Sequence, residues 1–182
     1  VIFGGFTHPS AIELAERLLA ILPANQQKIF YSDNGSTAVE VALKMCIQYW
    51  SNQGRSRTKI LAFKNAYHGD TFGAMAVSGR SIFTNHFKHF LFEVVYIDLP
   101  TRENIEAIRA QISHLKSDLA AFIFEPLVQG AAGMCMYEAS LLDELIVYCK
   151  QNNILTIADE VMTGFGRTGK LFASLHLQYQ PD

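Results

Sequence analysis

Apolar and polar positions along the chain change period repeatedly, and each change marks an element. Ile12, Leu14, Ala15, Leu18, Leu19 and Leu22 recur at helical spacing behind Pro9, predicting a helix over Pro9–Leu22. Thr37–Trp50, Arg102–Leu115 and Glu138–Gln151 read as three further helices. Between the helices lie short runs rich in apolar and β-branched residues: Lys28–Ser32, Lys59–Phe63, Glu93–Ile97, Ala120–Pro126 and Leu155–Glu160. These are the predicted strands. Tyr67–Gly79 reads as a glycine-rich loop with room for one helical turn. Apolar strands alternating with helices predict a three-layer α/β/α architecture whose mostly parallel sheet is covered on both faces. No repeat, low-complexity stretch or linker interrupts residues 1–182, so one domain is expected.

Composition narrows the class. The 182 residues are 49% hydrophobic, enough for a sizeable core, and the net charge is only -2. That balance argues against nucleic acid or an anionic membrane surface as the partner. No apolar run reaches the roughly 18–20 residues of a spanning helix. Cys46, Cys135 and Cys149 are odd in number and far apart, and read as buried reduced thiols of a cytoplasmic protein rather than a metal site. Val1 opens the chain inside a strand or loop, Val1–Gly5, and Gln180-Pro181-Asp182 reads as a turn leading onward. Both ends suggest an internal segment of a longer protein.

Candidate chemistry collects at strand ends. Leu155–Ile157 runs into Ala158-Asp159-Glu160-Val161-Met162-Thr163 and then the glycine-rich Gly164–Gly169. Alternation along an extended strand puts Ile157, Asp159 and Val161 on one face. A carboxylate in apolar surroundings needs a cation, and a protonated ring nitrogen would serve; a salt bridge from Asp159 or Glu160 to Arg167, or a turn cap, would serve as well. Asn34-Gly35-Ser36-Thr37 opens a helix. Its free N–H groups, hydroxyl and dipole favour a phosphate, and the same residues make an ordinary N-cap. The helix behind them carries one polar stripe, Glu40, Lys44 and Gln48, and is expected to be buried on most sides.

Tyr67-His68-Gly69-Asp70 offers an aromatic ring to a planar ligand, or else a turn with a core-packed tyrosine and a solvated histidine. Arg167 suits a substrate carboxylate or phosphate, or is a solvated loop residue. Glu125-Pro126 ends a strand at the same sheet edge and is either a supporting acid or a simple turn. His8, His86, His89, His114 and His176 have no metal-ligand spacing.

In combination these pieces resemble the large domain of class III pyridoxal-phosphate-dependent aminotransferases of fold type I. The resemblance spans the chain: Gly5-Phe6-Thr7-His8-Pro9 with Ala11–Glu16, Ser32–Ser36, Tyr67–Met75, Glu125–Gly130, and Asp159–Gly169. It implies that Gly35 and Ser36 bind the cofactor phosphate, that Tyr67 and Val161 sandwich the pyridine ring, and that Asp159 keeps the ring nitrogen protonated. Tyr67 and Arg167 are implied substrate contacts.

Two departures select a branch. Relatives acting on ornithine or GABA typically carry glutamine where this chain has Met162, and often an acid where it has Ala131. Both changes resemble the biotin-pathway branch, implying transfer of an amino group from S-adenosylmethionine to 8-amino-7-oxononanoate in a cytoplasmic homodimer. In this family the Schiff-base lysine follows the aspartate by about 30 residues, and the chain ends at Asp182, sooner than that. The resemblance therefore implies an incomplete large domain without its N-terminal segment and small C-terminal domain, inactive by itself. Another class III aminotransferase or aminomutase, and a non-catalytic α/β module binding a phosphate ligand, are the competing readings.

Overall fold

The longest apolar runs become the central strands. The structure, a computed structural model, describes residues 4–182, so most of the predicted Val1–Gly5 element lies outside the described residues. The chain divides into two compact units, residues 4–31 and 32–181.

The first unit is built on α1 (Pro9–Leu19). His8 caps it, its Nδ1 accepting from the Ser10 N–H at 3.3 Å, and Pro9 occupies the first turn, where its missing N–H costs nothing. The helix ends three residues earlier than the pattern predicts, because Pro23 disfavours helical backbone at Leu22. Lys28–Ser32 is not a strand. It is irregular backbone with Phe30 and Tyr31 exposed, and β-propensity without a pairing partner does not make a strand.

The second unit holds a four-stranded sheet of β1 (Lys59–Phe63), β2 (Val94–Ile97), β3 (Leu119–Phe124) and, after a short hairpin of β4 (Val128–Gln129) and β5 (Cys135–Met136), β6 (Leu155–Ala158). The order is β2-β1-β3-β6 and every pairing is parallel. Alternation sorts the side chains. Ile60, Ala62, Ala121 and Ile123 face α2 (Gly35–Asn52) and α3 (Phe72–Val77), while Leu61, Phe63, Phe122 and Phe124 face α4 (Ile105–Leu115) and α5 (Ala139–Gln151). β3 is buried at all six positions, as a central parallel strand covered on both sides must be.

β1 connects to β2 on one side and β3 lies on its other side. The order therefore reverses between β1 and β3, and ligands of open α/β sheets bind in the crevice beyond the strand ends at such a point. Tyr67, Glu125 and Asp159 all follow strands that end at this edge.

Two expectations change. α2 is buried on one face only, through Val39, Leu43, Cys46 and Trp50, whereas Met45, Ile47 and Tyr49 are exposed. Cys46 and Cys149 are buried, but Cys135, on the β4–β5 hairpin, is exposed. No helix among the described residues is long and apolar enough to cross a membrane.

Candidate functional site

The first turn of α2 forms one wall of the site. Asn34 caps the helix: its side-chain oxygen accepts from the Thr37 N–H at 3.0 Å, and the Thr37 hydroxyl accepts from the Asn34 N–H at 3.2 Å. This reciprocal box starts the helix at Gly35, two residues before the periodicity suggests. Gly35 and Ser36 thus lie where backbone N–H groups lack helical acceptors. A side chain at Gly35 would lie 2.8 Å from Val161 Cγ2, so only glycine lets the helix start approach Val161 this closely.

The loop after β1 forms the second wall. The Ser36 hydroxyl accepts from the Asp70 N–H at 2.9 Å. Gly69, at φ +126°, leaves no room for a Cβ, which would sit 1.9 Å from Ser36 Oγ. Glu40, the first member of the predicted polar stripe, faces α3 and accepts from the Gly73 and Ala74 N–H groups at 2.6 and 3.2 Å, capping that helix. Tyr67 is half exposed, and its hydroxyl donates to Asp70 Oδ2 at 2.9 Å. That hydrogen bond, with a smaller effect of burial, raises the Tyr67 pKa.

The loop after β6 closes the site. β6 stops at Ala158, so strand alternation reaches Asp159 but not Val161, which lies in the following turn. What couples them is an Asx turn: the Val161 N–H donates to Asp159 Oδ1 at 3.1 Å. The other oxygen, Oδ2, lies 2.7 Å from His68 Nδ1, with both side chains almost wholly buried. His68 is therefore no solvated turn residue. Glu160 takes a separate job, accepting from the Ala173 and Ser174 N–H groups to cap a 3-10 turn at Ala173–His176.

Glu125 is the remaining wall. It is buried, and its two oxygens accept from the Tyr67 N–H at 3.0 Å and the Gly130 N–H at 2.9 Å. One carboxylate thereby ties the loop after β1 to the loop after β3.

These walls enclose a cleft of about 480 Å³ lined by Asn34, Gly35, Ser36, Tyr67, His68, Gly69, Glu125, Gly130, Ala131, Met134, Asp159, Val161 and Met162. All five residues implied to bind the cofactor, Gly35, Ser36, Tyr67, Asp159 and Val161, meet in it, and so does Glu125, the candidate supporting acid. Arg167 does not line it; its Nε donates to the Met162 carbonyl at 2.6 Å. His68 was legible as part of a motif but not as the partner of Asp159, because the two are 91 residues apart and only tertiary packing joins them. No lysine or arginine among the described residues lines the cleft. Lys64 pairs with Asp98, Lys170 donates to the Leu175 carbonyl, and Lys44 is exposed on α2. A second hollow of about 800 Å³ shares Tyr67, Gly69 and Ala131 with the cleft.

Comparison with known proteins gives the family. The family model described as aminotransferase class-III matches residues 1–182. The adenosylmethionine-8-amino-7-oxononanoate aminotransferase of Synechococcus elongatus is 50% identical over 100% of this chain and 45% of its own length. The crystal structure of the enzyme of that name from Methanocaldococcus jannaschii superposes with a TM-score of 0.91 at 38% identity, covering 95% of this chain and 40% of its own. An amine transaminase from an uncultivated Pseudomonas species, in its PLP-bound form, matches with a TM-score of 0.88 at 35% identity, over 100% of this chain and 45% of its own. The chain spans less than half the length of these curated relatives.

Proposed function

The chain belongs to the class-III aminotransferase family, and on that premise we propose that its cleft holds pyridoxal phosphate and that the whole protein transfers an amino group from S-adenosylmethionine to 8-amino-7-oxononanoate. The observation that carries the reading is the meeting of a helix N-terminus, an aromatic face and a buried carboxylate in one cleft at the sheet's reversal point. When bound, the cofactor supplies the electron sink that amino transfer requires.

The residues fit that group. Gly35 and Ser36 present first-turn N–H groups to its phosphate, and the Ser36 hydroxyl, already accepting from Asp70, keeps its own proton to donate. Tyr67 and Val161 are both substantially exposed in the cleft and offer the two flat or branched surfaces a pyridine ring needs. Asp159 is a buried anion with no cationic Lys or Arg in the cleft, so a cationic ring nitrogen is the partner it lacks. Arg167 remains a proposed contact for a substrate carboxylate, and the neighbouring hollow beside Tyr67 is the proposed substrate side.

The same reading takes the protein to be a cytoplasmic homodimer. The exposed Met45, Ile47 and Tyr49 on α2 and the exposed Phe72 and Phe90, whose rings touch at a tilt, are the apolar surface such an assembly would cover. Residues 1–182 then belong to the large domain without completing it, and without a lysine in the cleft they form no covalent link to the cofactor by themselves.

An amine-donor panel on the whole protein tests the activity. Turnover with S-adenosylmethionine and 8-amino-7-oxononanoate is expected. Activity with ornithine or glutamate but not with S-adenosylmethionine would sink the assignment.

A further inference from the structure

The loop after β1 and the start of α3 are held through their N–H groups at three places, and two of the holding side chains come from one face of α2. Glu125 accepts from the Tyr67 N–H at 3.0 Å, and Ser36 Oγ accepts from the Asp70 N–H at 2.9 Å. A single oxygen of Glu40, Oε1, accepts from both the Gly73 and the Ala74 N–H, at 2.6 and 3.2 Å. Ser36 and Glu40 stand at i and i+4, so they project from α2 one turn apart on the same side. The glycines that receive them, Gly69 and Gly73, have the same spacing. A Cβ at Gly69 would fall on Ser36 Oγ, and one at Gly73 on the Glu40 carboxyl group. Helix and loop thus meet as two teeth in two notches, which fixes their register.

α3 depends on the second tooth. It has six residues, too few to be stable by itself. Thr71 stands at its N-cap, yet the threonine hydroxyl makes no capping hydrogen bond and is buried without a partner. The cap that a threonine ordinarily supplies locally comes instead from Glu40, 33 residues away in the chain. Glu40 does not line the cleft, whereas Ser36 does. We propose that Glu40 is a positioning residue of the cofactor site. By holding the start of α3 against α2, it sets the span between the N–H groups of Gly35 and Ser36, the place for a phosphate, and Tyr67, the place for a ring. A ligand that fills both places at once needs that span to be right, and a ligand that fills only one does not.

Because this role rests on the proposed cofactor, three ligands are titrated into the whole protein freed of cofactor. Pyridoxal phosphate spans both places; pyridoxal and inorganic phosphate each fill one. Glu40→Leu, which keeps the bulk but has no acceptor, is expected to bind pyridoxal phosphate about 10- to 100-fold more weakly, with pyridoxal and phosphate within about threefold of the parent. Glu40→Gln keeps an oxygen that can accept from both N–H groups, and should bind all three within about threefold of the parent. Parental binding of pyridoxal phosphate by Glu40→Leu overturns the role. An equal loss for all three ligands also overturns it, because that marks general loosening rather than a lost span, and so does a loss in Glu40→Gln as large as in Glu40→Leu. Gly73→Ala leaves Glu40 in place and fills its notch. It is expected to repeat the Glu40→Leu pattern, and it decides the question if Glu40→Leu does not fold. A parent protein that does not bind pyridoxal phosphate brings down the proposed function and this role with it, whereas a normal parent beside a parental Glu40→Leu removes only the role of Glu40.

Discussion

The two ends of the parallel sheet each bury a charge, and they treat it in opposite ways. At the end where β1, β3 and β6 begin, Arg57 is buried, and one guanidinium nitrogen donates to the carbonyls of Leu119 at 3.1 Å and Asn153 at 2.7 Å. The same group lies 4.2 Å from the centroid of Trp50, whose indole N–H is in turn held by the Ala120 carbonyl. Burial, with a smaller contribution from Arg55, lowers the Arg57 pKa, yet main-chain dipoles and an aromatic face surround the charge. At the end where the same strands finish, Asp159 is held by one N–H group and a histidine, and that histidine has a nitrogen with no partner. A buried charge whose surroundings complete it locks strand ends together. A buried charge left without a counter-charge is poised for a ligand.

Breaking each end should therefore produce different losses. Asp159→Asn is expected to have the largest effect, lowering cofactor affinity about 100-fold or more while thermal unfolding of the cofactor-free protein barely moves; isothermal titration beside a melting curve checks both halves. Arg57→Met should do the reverse. Leaving two buried carbonyls unpaired costs about 3 kcal/mol, or roughly 6–12 °C in Tm, with cofactor affinity of the folded protein unchanged. A Tm loss from Asp159→Asn as large as that from Arg57→Met would erase the contrast.

Glu125→Gln falls between the two. The amide can accept only one of the two N–H groups from Tyr67 and Gly130, so cofactor affinity should fall about tenfold; parental affinity would show that Glu125 merely ends a strand. Arg102→Ala should do least. Its ion pair with Glu138, 3.4 Å long between exposed side chains, is worth under about 0.5 kcal/mol, and a Tm shift beyond about 2 °C would mean that charge outside the sheet ends matters more than this account allows.

How much of this was legible in the sequence follows from what each feature depends on. β1 was readable to the residue, because Ile60, Leu61, Ala62 and Phe63 form an apolar run that only a doubly covered strand explains. Lys28–Ser32 carries similar residues and is irregular, because pairing partners and not composition make a strand. The β4–β5 hairpin escaped notice with two residues in each strand, too few for alternation to register. In the site, Gly35, Ser36, Tyr67, Asp159 and Val161 were found because glycine turns and strand mouths mark them. The jobs of His68, Glu40 and Arg57 were not legible, since each is defined by partners at least 33 residues away.

The central claim is that the cleft between the α2 start and Asp159 is the cofactor site. A crystal structure of the whole protein with pyridoxal phosphate tests it most directly. The account predicts the phosphate against the N–H groups of Gly35 and Ser36, the ring between Tyr67 and Val161, and the ring nitrogen at Asp159. A phosphate bound elsewhere, or an Asp159 carboxylate that touches only His68 and the Val161 N–H in the loaded protein, would contradict it.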